Sequence, residues 1–272
     1  MGAKMNDAPV YFTIAQAQYN MLPGLDVYLQ AIGAAMRQAG FADYKVSPVL
    51  QVHIEISPPG AELAQPPRPP AQQVLRYIFS DMSGTSGFVL LPNALSYYTT
   101  AYETFDPFSA TFLQGLRAVH EAVGGLSFID RLSLRYLDAV VPKDGEVVNS
   151  YLAPELHGLP VRMPESMFLH SMTQALRIQP DVGNFLCRSM VQNGPVGLPP
   201  ELVIEGLTLP QKLVGFAGPH AVLDTDGSYV QREVFDLAKI AIRLRSLHDG
   251  IDQVFRASVT DHARHMWKEG NL

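Results

Sequence analysis

"SFIDRLSLRYLDAVV", residues 127–141, alternates as a β-strand does, and its two faces disagree. Side chains along a strand point alternately to opposite sides. Asp130, Leu132, Leu134, Tyr136, Asp138 and Val140 therefore share one face, apolar in its middle, while Arg131, Ser133, Arg135, Leu137 and Ala139 share the other. Such a strand fits a sheet with helices on one face and the opposite face left open, and it predicts an α+β fold.

The segment just before it supplies a helix for the apolar face. "DPFSATFLQGLRAVHEAVGG" (106–125) has Asp106 as N-cap, Pro107 at the first helical position, and Phe108, Phe112, Leu116, Val119 and Val123 on one side before a Gly-Gly stop. Strands are expected near 74–81, 87–92 and 94–103, and at the start in "PVYFTIAQAQY" (9–19). A helix closed by Gly40 follows that first strand. "VLQVHIEIS" (49–57) then alternates Leu50, Val52, Ile54 and Ile56 against Gln51, His53, Glu55 and Ser57. The Pro-rich 58–73 has no hydrophobic period and reads as an exposed loop.

Downstream, a weakly helical stretch at 146–157 leads to strands at 166–178 and 184–191, then to an irregular Pro/Gly-rich segment at 193–219. "AVLDTDGSYVQRE" (221–233) reads as a hairpin turning at Asp226-Gly227. Asp236 then caps a long helix whose stripe includes Leu237, Ile240, Leu244, Leu247, Ile251, Val254 and Phe255. Residues 88–123 and 221–255 both run strand, turn, strand, Phe-Asp, helix. This predicts two copies of a β-α-β-β-β-α unit, 1–125 and 126–272, separate or merged in one compact body. The sheet should be mostly antiparallel, with the long helices on one face and a groove between the halves.

In order along the chain, "APVYFTIAQAQY" (8–19), "YYTTAYETFDPF" (97–108), "FIDRLSLRYLDAVV" (128–141) and "LHDGIDQVFRASVTDHARHMW" (247–267) resemble a sporadically distributed family of bacterial proteins of unknown function. Members of that family more often carry acidic residues in the opening strand. The resemblance implies a bacterial α+β protein and implies no reaction.

Composition narrows the function classes. Apolar residues are 47% and charged residues 17%, inside the globular range. A net charge of −6 without a Lys/Arg run argues against nucleic acid as a partner. The first residues lack signal-peptide character, Met5 being an alternative start, and no apolar run reaches the roughly 20 residues of a membrane span. A cytoplasmic protein is expected, without a membrane partner. Cys187 is the lone cysteine, which rules out an intrachain disulfide.

The candidate site residues are Arg131, Ser133 and Arg135, joined by parity with Arg76, Arg177 and His53 on the open face. Arg presents a planar fork suited to carboxylate or phosphate, and the chain has only six lysines. The competing reading is cross-strand ion pairing with Glu55, Glu103 or Glu233. His248 stands four residues before Asp252, a spacing at which a helix lets the two pair. His262 and His265 lie on a helix at ligand spacing but lack a companion motif, so no metal or other cofactor is expected. No nucleophile elbow, P-loop or dinucleotide fingerprint is present.

These residues point to a non-catalytic interaction protein that holds a protein partner through the Arg-containing face or the groove. The alternatives are a sensor of a small anionic ligand, with one apolar cavity between two repeats, and an enzyme using His and Arg in that groove. A Ser or carboxylate within reach of His53 or His248 would favour the enzyme. Homo-oligomerisation is compatible with all three.

Overall fold

A computed structural model describes residues 7–51, 72–163 and 170–268. The first half contains β1 (Val10–Tyr19), α1 (Leu29–Gln38), β2 (Asp43–Gln51), β3 (Gln72–Ser80), β4 (Ser86–Leu91), β5 (Ala94–Thr99) and α2 (Phe105–Ala122). The second contains β6 (Phe128–Val140), three short 3-10 turns, β7 (His170–Gln179), β8 (Gly183–Pro195), two further 3-10 turns, β9 (Ala217–Val234), α3 (Leu237–Ser258) and α4 (Asp261–Lys268). All strand pairs are antiparallel, and they form one nine-stranded sheet in the order β2-β3-β4-β5-β1-β6-β9-β8-β7.

The strand at 128–140 thus lies in the middle of the sheet, between β1 and β9. Its Leu132, Leu134 and Tyr136 join a core with Phe88, Phe112, Leu116, Phe185, Leu244 and Leu247, under α2 and α3. Two glycines set how closely these helices approach. A Cβ on Gly115 would collide with the Phe88 ring, and one on Gly250 with the Phe185 ring. Phe185 is fully buried, so Gly250→Ala must displace a ring with nowhere to go. We expect that variant to lose about 1 to 3 kcal/mol in urea denaturation; a neutral result would mean that α3 slides freely on the sheet.

Four expectations need correction. Among the described residues the halves do not share the order β-α-β-β-β-α: four strands lie between α1 and α2, and the helical elements between β6 and β7 are 3-10 turns. Second, 221–233 is not a hairpin but the middle of a single 18-residue strand. Asp226 lies opposite Arg135 and Leu186, and Gly227 opposite Leu134 and Phe185. The glycine answers to crowding there, since a Cβ would stand 3.1 Å from Phe185 and 3.2 Å from Ile251. Third, the N-cap of α2 is Thr104, with extended backbone, so Asp106 falls inside the first turn. Asp236 does cap α3, accepting from the amides of Ala238 at 2.8 Å and Lys239 at 3.2 Å.

The fourth correction concerns the second face, which is not open at its centre. The β8–β9 connection folds across it and buries Val196, Leu202, Ile204 and Leu213 against Phe12, Ile78, Tyr98, Leu137 and Val222. Hydrogen bonds fasten this strap: Tyr11 Oη donates to the Gly197 carbonyl at 2.7 Å, and Thr100 Oγ1 to the Thr208 carbonyl at 2.7 Å. Its apolar residues, spaced irregularly among prolines and glycines, carry no strand or helix period, which is why it reads only as an irregular segment. Most of the alternating run at 49–57 and of the Pro-rich segment lies outside the described residues.

Candidate site: a cleft over the central strand pair

The Arg row is built into the fold by carboxylates. Arg135 donates from Nε and Nη2 to the two oxygens of Asp224, at 2.7 and 2.8 Å, and from Nη2 to Glu201 at 2.9 Å. Arg188 of β8 adds a third bond to Asp224 at 2.8 Å. Arg131 stands 3.9 Å from Asp226, and Ser133 is buried between the two arginines. Among the described residues the partners shown are Asp224, Asp226 and Glu201; of the glutamates expected, Glu233 is held by Arg243 at 3.0 Å and Glu55 lies outside the described residues.

The other candidates scatter. Arg76 sits on β3 with its Nε buried and without a hydrogen-bond partner among the described residues. Arg177 is on the helix side, where it bonds Gln253 of α3 and lies 5.7 Å from the Phe185 ring centre. His53 lies outside the described residues. His262 meets Glu146 at 3.2 Å, and no group of metal-ligating side chains occurs among the described residues.

His248 leads to a different site. It does not pair with Asp252, which binds Arg256 at 2.8 Å. Its Nδ1 instead contacts the Tyr136 hydroxyl at 3.2 Å, and that hydroxyl contacts Tyr102 Oη at 3.1 Å. The imidazole stacks on Phe105, ring centres 4.3 Å apart. Burial lowers its pKa against the opposing pull of Asp249 and Asp252. Burial also raises the Tyr102 hydroxyl to about 12, so both phenols stay neutral at ordinary pH.

These groups line a cleft of about 380 Å³ on the helix side of the β1–β6 seam. The start of β1 supplies one edge with Pro9 and Val10; the link from β5 into α2 supplies Tyr102, Phe105 and Asp106; α3 supplies Arg245, His248, Ile251 and Phe255. Arg245 lies 4.2 Å over the Phe105 ring and forms an ion pair with Asp106.

On the β6 side stands Asp138, in step with Leu132, Leu134 and Tyr136 on the buried face. It is 7% exposed, and its carboxyl has no hydrogen-bond donor among the described residues. Burial, and secondarily the charge of Asp224 on the far side of the sheet, push its pKa up to about 7. Sequence reasoning put Asp138 on the apolar face without drawing the consequence. The signal was available, because an acid in the buried register of a central strand is costly unless something partners it.

No protein-family model matches the chain, and no curated protein matches it. Among the described residues no helix is long and apolar enough to cross a membrane.

Proposed function

We propose that the protein binds a small molecule in the cleft over the β1–β6 seam and does not transform it. The observation that carries this reading is the Asp138 carboxyl, more than nine-tenths buried and facing a walled cleft without a donor from the described residues. Buried polar groups are nearly always partnered, and an exception in a cleft of ligand size is where a ligand would supply the missing contact.

Binding is favoured over catalysis because a phenol, not a Ser or a carboxylate, holds His248. A cleft ligand is favoured over a protein or anion on the Arg row because Arg135 and Arg188 already spend their forks on Asp224. We also infer that the halves are diverged copies that meet at the cleft. In support, β1 and β6 are neighbours flanked by β5 and β9, and Phe88 faces Gly115 as Phe185 faces Gly250. In this reading the protein is a bacterial, cytoplasmic ligand sensor, and its single buried thiol at Cys187 suits a reducing compartment.

Soaking crystals in small organic probes tests the site. Probes should collect between Phe105 and Asp138. Probes that pass over the cleft and gather beside Arg131 would return the function to the Arg row.

A further inference from the structure

Accepting the cleft as a ligand site, we infer that its ligand is a cation: a primary or secondary ammonium on a compact apolar or aromatic body, its N–H groups directed at Asp138. The charges around the cleft support this choice. Arg245 is matched by Asp106 and Arg256 by Asp252, so the two guanidinium groups are neutralised before any ligand arrives. The Asp138 carboxylate has no such match among the described residues, and the charge that acts on it through the sheet, Asp224, is itself negative and is already held by Arg135 and Arg188. An anion would meet that carboxylate unscreened in a desolvated cleft, whereas an ammonium would supply both the missing donors and the missing charge.

The walls suit the same ligand. Tyr102 and Tyr136 offer aromatic surface, Phe105 offers its ring edge because His248 and Arg245 cover its faces, and Ile251 and Phe255 offer aliphatic and aromatic surface. Aromatic faces attract cations, and an apolar body recovers the free energy of leaving water. A volume of about 380 Å³ limits the occupant to a small molecule of one or two rings, or a short chain.

Three matched probes distinguish the outcomes: 2-phenylethylamine, 2-phenylethanol and phenylacetate, each titrated at pH 8 against the full chain by saturation-transfer NMR. The amine should bind at least 10-fold more tightly than the alcohol or the acid. Asp138→Asn, with its fold checked by circular dichroism, should remove that preference and leave the amine no better than the alcohol. If the alcohol or the acid binds as well as the amine, or Asp138→Asn leaves amine affinity unchanged, the cation inference falls while the cleft survives as a site. If none of the three binds the wild-type chain, the cleft reading falls with it.

Discussion

Asp224→Ala is expected to remove about 3 to 5 kcal/mol of stability, the usual cost of breaking a buried charge network by deleting one partner. Asp224 is 1% exposed and accepts three hydrogen bonds from Arg135 and Arg188. Its loss leaves Arg135, with a side chain only 12% exposed, relying on the exposed Glu201. The pair between Arg232 and Asp130 makes the contrast, because both side chains are exposed, at 67% and 39%, and salt and solvent screen it. Asp130→Ala should therefore cost no more than about 1 kcal/mol. Urea denaturation at pH 5.5 is the measurement, since Asp138 is then largely protonated and drops out of the comparison. If the two variants lose the same small amount, Asp224 is not the anchor of the second face.

Asp138→Asn should have the opposite sign, and its effect should grow with pH. The carboxyl rises from an ordinary 3.8 to about 7 in the folded chain, mainly through burial. Between those two values the native state holds a proton that the unfolded state has released, so stability falls as pH rises from about 4 to about 7 and stays low above it. Asn keeps the shape and never ionises. The variant should match wild type near pH 4 and exceed it by roughly 4 kcal/mol at pH 8.

The titratable and charged groups around Asp138 that could reshape this profile are Tyr136 on its own strand, Tyr102, Glu103 and Asp106 on the β5–α2 side, Arg245, His248, Asp252 and Arg256 on α3, and Cys187 on β8. Tyr11 and Asp224 act from the far side of the sheet. All of them are shared by both proteins, so the difference between the curves reports Asp138. Parallel curves for wild type and variant would mean that the carboxyl is solvated.

Local chemistry was legible in the sequence wherever period and caps agreed. The alternation of 128–140, the stripe of α2 and the Asp236 cap all emerge as read, because each is fixed by neighbours a few residues away. Asp226-Gly227 misled because a glycine demanded by a ring packing across a strand looks the same as a glycine demanded by a turn. The strap over the second face was hidden by having no period at all.

The candidate site was the least legible part. Its walls come from the first strand, the β5–α2 link, β6 and α3, and nothing local to any one of these segments announces the others. Of the candidate site residues that the structure describes, only His248 lines it. The Arg row drew attention because exposed-face arginines look available, yet Asp224 and Asp226, misassigned to a hairpin, stand opposite to receive them. Placing 217–234 as one strand beside 128–140 would have paired those charges at once and left Asp138 as a buried acid with no counterion among the described residues.

The measurement that bears most directly on this account is the carboxyl 13C titration of Asp138, assigned by comparison with Asp138→Asn, without and with 2-phenylethylamine. The free protein should titrate at about 7, and the amine should draw the midpoint down towards the ordinary carboxylate range as it stabilises the ionised form. An Asp138 that already titrates near 3.8 in the free protein, and that ignores the amine, would contradict the central claim that the cleft presents a buried carboxyl awaiting a cation.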